Sequence, residues 1–153
     1  MLCEESLSGP FGDAILWRNY ADGINEIKET HKPGMLVFHR SYCNACRRLG
    51  NDVRGNTELI SRSRQFVMIS CNGNEPESDV FMIGTGCSLF LELDGNYFPR
   101  IFFVNPNNTI NYYFVSNPYN FQYRYYYRDS DQMNQRMKDF LSAIKLENEE
   151  TEL

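Results

Sequence analysis

The chain has 153 residues, 42% of them hydrophobic, and a formal net charge of −5. That is enough apolar content for one globular domain, residues 1–153, with a core of its own. The acidic balance argues against nucleic acid as the main partner, and no apolar run approaches the roughly 20 residues of a membrane-spanning helix.

The first residues, Met1-Leu2-Cys3-Glu4-Glu5, form neither a basic n-region nor an apolar h-region. The chain is therefore expected to be cytosolic or a mature form whose signal peptide has been removed. Phe11-Gly12-Asp13 opens the patterned part. Trp17, Tyr20, Ala21, Ile24 and Ile27 recur at helical spacing and predict a helix from Trp17 to Thr30. Lys32-Pro33-Gly34 ends it. Met35 to His39 reads as a buried central strand. A helix follows from Cys43 to about Leu49 or beyond, with a break expected near Gly50 or Gly55. Thr57-Glu58-Leu59-Ile60 predicts another helical turn with its own N-cap.

Phe66 to Cys71 is almost continuously apolar, as a strand covered on both faces should be. Residues 72–93 read as an insert. A polar loop from Asn72 to Asp79 leads into the apolar groups Val80-Phe81-Met82-Ile83 and Leu89-Phe90-Leu91, expected to pack over the domain or to self-associate. Asp94-Gly95 is a turn. Ile101 to Val104 is a strand, Asn105-Pro106-Asn107-Asn108 a turn, and Thr109 to Val115 a returning hairpin strand. Tyr119, Phe121, Tyr123, Tyr125, Tyr126 and Tyr127 crowd the next segment, either packing at the sheet edge or offering a binding surface. A last helix starts near Asp129 or Ser130, with an apolar stripe of Met133, Met137, Phe140, Leu141 and Ile144. Residues 147–153 form an acidic tail. The order β-α-β, then β-β-α, predicts an α/β fold: a mixed central sheet with helices on both faces.

The five cysteines are Cys3, Cys43, Cys46, Cys71 and Cys87, and the odd count leaves at least one unpaired or bonded to another chain. Cys43 and Cys46 are spaced C-x-x-C where a buried strand meets a helix, the local geometry of a thiol–disulfide site. The thiolate is the nucleophile, and a helix N-terminus favours it through unpaired N–H groups and the positive end of its dipole. Arg47 and Arg48 either add to that field or form a solvated face. A structural disulfide and half of a zinc site are the other readings. Zinc wants a second such pair, which Cys71 and Cys87 do not supply, so neither metal nor cofactor is expected. A Cys71–Cys87 bridge would close a loop of about 15 residues, worth roughly 3 kcal/mol in the chain-entropy model. Cys3 reads as an unpaired tail thiol. His31 and His39 read as structural or solvent-facing.

Several motifs recur in a fixed order: Phe11-Gly12-Asp13, the Trp17 segment with Asp22-Gly23, Ser41-Tyr42-Cys43-Asn44-Ala45-Cys46, Phe66-Val67-Met68, and Gly95-Asn96-Tyr97-Phe98-Pro99-Arg100-Ile101-Phe102-Phe103. Together they resemble the small endoplasmic-reticulum thioredoxin-domain family, the group of thioredoxin domain-containing protein 12 and the anterior-gradient proteins. The resemblance implies a thioredoxin fold and a thiol–disulfide oxidoreductase acting on secretory client proteins, with glutathione or an oxidase as redox partner. Cys43 matches the attacking cysteine, Cys46 the resolving one, and Pro99 the cis-proline. Phe98 would then offer its main chain to an extended substrate beside the apolar shoulder of Tyr42. A client-binding protein that traps partners on Cys43 is the alternative.

Three positions depart from the family pattern. Tyr42 stands where tryptophan is usual. Asn44-Ala45 replaces Gly-His, which predicts a couple less oxidising than the extreme within the range of about −270 to −120 mV for this fold. Val37 stands where many thioredoxins bury an acid, so turnover is expected to be modest. The last residues, Glu150-Thr151-Glu152-Leu153, resemble the retrieval tetrapeptide read by an endoplasmic-reticulum receptor. They predict residence in that lumen, which also permits disulfides.

Overall fold

The structure is a computed structural model that describes residues 7–72, 97–119 and 122–151. Cys3, Cys87, Phe121, Glu152, Leu153 and most of the 72–93 insert lie outside them, and so do the Cys71–Cys87 pairing and the end of the retrieval tail.

Among the described residues, a five-stranded sheet carries the fold: β1 (Trp17–Arg18), β2 (Gly34–His39), β3 (Val67–Asn72), β4 (Arg100–Val104) and β5 (Ile110–Asn111). The spatial order is β1-β3-β2-β4-β5. β3 runs parallel to β1 and β2, whereas β4 is antiparallel to both β2 and β5. Every residue of β2 and β4 is buried, which explains their unbroken apolar runs. Alternation divides them between two cores. Met35, Val37, Met68, Ile101 and Phe103 meet helices α2 (Asn44–Arg54), α3 (Thr57–Ser63) and α4 (Ser130–Thr151). Leu36, Phe38, Val67, Ile69 and Phe102 face α1 (Tyr20–Thr30) and Tyr125. Helices thus cover both faces, and the α/β fold is the expected mixed-sheet thioredoxin arrangement.

Local physics sets the boundaries. Asn19 caps α1 by accepting from Asp22 N–H at 2.8 Å, and Asn56 caps α3 through Leu59 N–H at 3.0 Å. Asp129 accepts from Gln132 N–H at 2.8 Å at the start of α4. There Met133, Met137 and Phe140 are buried, with Leu141 and Ile144 packed beside them. Phe140 lies 4.8 Å from Phe103 and 4.9 Å from Phe114, so the last helix is docked by aromatic contacts.

Two expected elements change. Trp17 is not helical: Trp17 and Arg18 pair in parallel with Met68 and Ile69, and the helix waits for the Asn19 cap. The returning strand β5 stops at Asn111, whose side chain accepts from Tyr113 N–H at 3.2 Å and Phe114 N–H at 3.1 Å and turns the chain.

Gly50 does not break α2. It sits inside the helix, where an added Cβ would lie 2.5 Å from the Pro10 carbonyl oxygen. A 3-10 turn, Gly9–Phe11, packs there. Gly50→Ala gains about 1 kcal/mol of helix propensity but overpacks a rigid backbone, at about 1–3 kcal/mol. We expect net destabilisation in denaturant unfolding, with the 3-10 turn displaced.

Candidate functional site

Cys43 is the N-cap of α2. Its extended backbone delivers the sulfur over the first turn, and Sγ accepts from Cys46 N–H at 3.1 Å. The thiol of Cys43 also reaches the Phe98 carbonyl oxygen at 3.4 Å. Two segments far apart in sequence therefore meet at one sulfur: the β2–α2 junction and the loop that enters β4. The Phe98–Pro99 peptide bond is cis, with Pro99 buried and Phe98 half-buried. Both cysteines are free thiols. Cys43 is partly exposed, whereas Cys46 is fully buried. Tyr42 is 66% exposed and forms an open aromatic shoulder beside them.

Burial, followed by the hydrogen bond with Cys43, pushes the Cys46 thiol far above its ordinary range. The Arg40 backbone and then its guanidinium pull the other way. Val37 lies in the apolar core and offers no proton acceptor. In a reduced pair, then, Cys46 is a protonated thiol held beneath a more accessible partner.

Arg40 and Arg100 were not signalled by the sequence. Both are buried, at 3% and 0% exposure. Their guanidinium carbons lie 4.3 Å and 5.0 Å from the Phe98 ring centroid, and Arg100 also stands 5.6 Å from Tyr97. Arg40 donates to the His39 carbonyl at 2.9 Å, and its own carbonyl accepts from Cys43 N–H at 3.2 Å. Both arginines contact the Phe98 ring, and Arg40 also places positive charge near Cys46. An arginine beside an aromatic and a proline is the only trace of this in the sequence. Arg47 instead caps the Ser41 carbonyl with two bonds, at 2.7 Å and 3.0 Å, and Arg48 is exposed.

The aromatic segment splits. Tyr125 and Tyr127 are buried, so much of it packs. Tyr123 remains 49% exposed with its ring 5.1 Å from Tyr97, and Tyr119 is 86% exposed.

His39 is structural and buried, sharing a 2.7 Å hydrogen bond with Ser70 Oγ under the Gly9–Phe11 turn. An added Cβ at Gly9 would lie 2.7 Å from its ring. Burial, then the Arg40 charge, pushes its pKa down to about 3. His31 closes α1 in the left-handed region, with φ 59°. Among the described residues, no His, Cys, Asp and Glu group could hold a metal ion.

A mixed sheet flanked by helices, with a C-x-x-C at a helix start facing a cis-proline loop, defines the thioredoxin class. Residues 16–106 match the thioredoxin-like family model. The chain belongs to the thioredoxin-like family. It is 26% identical over 144 residues to anterior gradient protein 2-B of Xenopus laevis, covering 94% of this chain and 81% of that protein. It is 27% identical over 145 residues to anterior gradient protein 3 of Mus musculus, with the same coverage of 94% and 81%. Among solved structures, its fold is similar to that of a disulphide isomerase from Xylella fastidiosa Temecula1. That match has a TM-score of 0.50 at 20% identity, covering 82% of this chain and 87% of the other.

Two predictions follow from these burials. The unfolded chain binds a proton at His39 below about pH 6.5, but the folded chain resists doing so until about pH 3. Stability contributed by neutral His39 is therefore present above the unfolded value. It should be lost as pH falls through that window, at up to about 1.4 kcal/mol per pH unit. Urea midpoints of wild type and His39→Gln between pH 7 and 4 check this, the variant showing the shallower slope. Within the pair, alkylation of the reduced protein should modify Cys43 and reach Cys46 only on unfolding, as read by peptide mapping.

Proposed function

We propose that the protein is a thiol–disulfide oxidoreductase of client proteins in the secretory pathway. The observation that carries this reading is the pairing of a partly exposed sulfur at the start of α2 with a buried thiol one turn below it. Cys43 attacks a client disulfide. The Cys43–client S–S bond forms, and the departing client sulfur takes the electron pair and a proton. Cys46 then loses its proton and attacks Cys43 Sγ, releasing the second client thiol and leaving Cys43–Cys46 oxidised. Reversal of these steps delivers a disulfide to a client.

The Phe98 main chain lies beside the reacting sulfur, where an extended client segment can pair with it as an added strand. Tyr42 and Pro99 complete that contact. Residence in the secretory pathway is supported by the resemblance to the endoplasmic-reticulum thioredoxin-domain group and by likeness to anterior gradient proteins.

The deep burial of Cys46 and the apolar Val37 favour slow release, which supports client trapping on Cys43 as a second reading. Covalent capture separates the two. Under the first, Cys46→Ala accumulates client mixed disulfides at least about tenfold over wild type, and Cys43→Ala accumulates none. Equal accumulation by wild type and Cys46→Ala would establish trapping. Loss of capture in neither single variant would overturn the assignment of both cysteines.

A further inference from the structure

The turn between β4 and β5 carries chemistry that thiol exchange does not use. Asn107-Asn108-Thr109 has the form Asn-x-Thr with no proline in the middle, the pattern of an N-glycan acceptor. No other asparagine in the chain has serine or threonine two places on.

Asn107 and Thr109 are both exposed. The turn is closed by local bonds: Asn105 N–H to the Thr109 carbonyl at 2.8 Å, and Asn108 N–H to the Asn105 carbonyl at 2.8 Å. Asn108 takes the left-handed region at φ 70°, which asparagine tolerates. Within it, Asn107 Oδ1 accepts from Thr109 N–H at 3.2 Å and from the Thr109 hydroxyl at 2.5 Å. Asn105 Nδ2 holds that hydroxyl at 3.0 Å. The acceptor amide is thus gripped by its oxygen, while Nδ2 has no partner among the described residues. All these contacts fall within the five residues 105–109, so the turn is closed locally at the end of the β4–β5 ladder.

We propose that Asn107 is an N-glycosylation site, modified from a lipid-pyrophosphate-linked oligosaccharide. Asn107 Nδ2 bonds to the anomeric carbon of the first sugar, whose bond to the pyrophosphate oxygen breaks. The lipid pyrophosphate leaves with the electron pair, and the nitrogen gives up one proton to solvent. Modification in the cell rests on the secretory reading above; the acceptor geometry does not. The turn lies at the opposite end of β4 from Pro99, about 15 Å away at the rise of a strand. A glycan there leaves the Cys43 face open.

The test is translation of the full chain, behind a cleavable signal sequence, into rough microsomes. Protease-protected chains should show a mass increment removable by endoglycosidase. The increment should be lost in Asn107→Gln and Thr109→Ala and kept in Thr109→Ser. In wild type, enzymatic deglycosylation should convert Asn107 to Asp in the mapped peptide, a readout that needs no variant. A protected chain without the increment, or an increment retained by Asn107→Gln, would overturn the proposal. An increment in microsomes alongside a cytosolic, unmodified protein in its own cells would support the acceptor and instead overturn the secretory reading.

Discussion

The hydrogen bond from Cys46 N–H to Cys43 Sγ organises the site. A helix start normally takes its cap from an oxygen side chain. Here a sulfur fills that role, so the first turn of α2 is held by the group proposed to react. The asymmetry of the pair comes from the packing of α2, which buries Cys46 on the same face as Leu49 and Val53 and leaves Cys43 at the helix start. Cys43 stays at the surface, and Cys46 enters the core. The rest of the domain fixes that helix start. β2 delivers the chain to it, Gly50 lets the Gly9–Phe11 turn brace its flank, and the β4 loop brings the Phe98 carbonyl to the sulfur.

Charge around the pair comes from an unexpected quarter. Val37 lies in the apolar core, and among the described residues no carboxylate acts on Cys46 to take its proton. Arg40 acts in the opposite sense, favouring the thiolate by its positive charge and by the backbone that adjoins both cysteines. Its guanidinium is accommodated by the Phe98 ring, which Arg100 also contacts, each such contact being worth about 0.5–2 kcal/mol. The aromatic ring that borders the proposed client groove is therefore also the ring against which Arg40, the cation near Cys46, is packed. Groove shape and dithiol electrostatics are coupled through Phe98.

The parts of the molecule legible in the sequence were those with a one-dimensional signature. β2, β3 and β4 announce themselves as apolar runs because both faces are covered, and α4 by its stripe from Met133 to Ile144. The C-x-x-C declared its position at a strand–helix junction by simple adjacency. What escaped was created by pairing at a distance. Two residues, Trp17 and Arg18, have no periodicity of their own; parallel pairing with Met68 and Ile69 makes them a strand. Gly50 resembled a helix breaker because Pro10, forty residues earlier, was not visible as its packing partner. Arg40 and Arg100 carried no signal of their own, since burial of arginine against aromatic faces depends on tertiary contacts. The acceptor-like turn at Asn107 did have a local signature, and its exposure is what the fold adds.

Thiol exchange requires Cys43 and Cys46 to be an exchangeable couple rather than a staple. Equilibrating the protein with glutathione buffers and reading the fraction oxidised at this pair by acid-quenched alkylation gives its reduction potential directly. We expect a value inside the range of about −270 to −120 mV for exchange-active members of this fold. A potential below about −300 mV, the territory of structural disulfides, would contradict it.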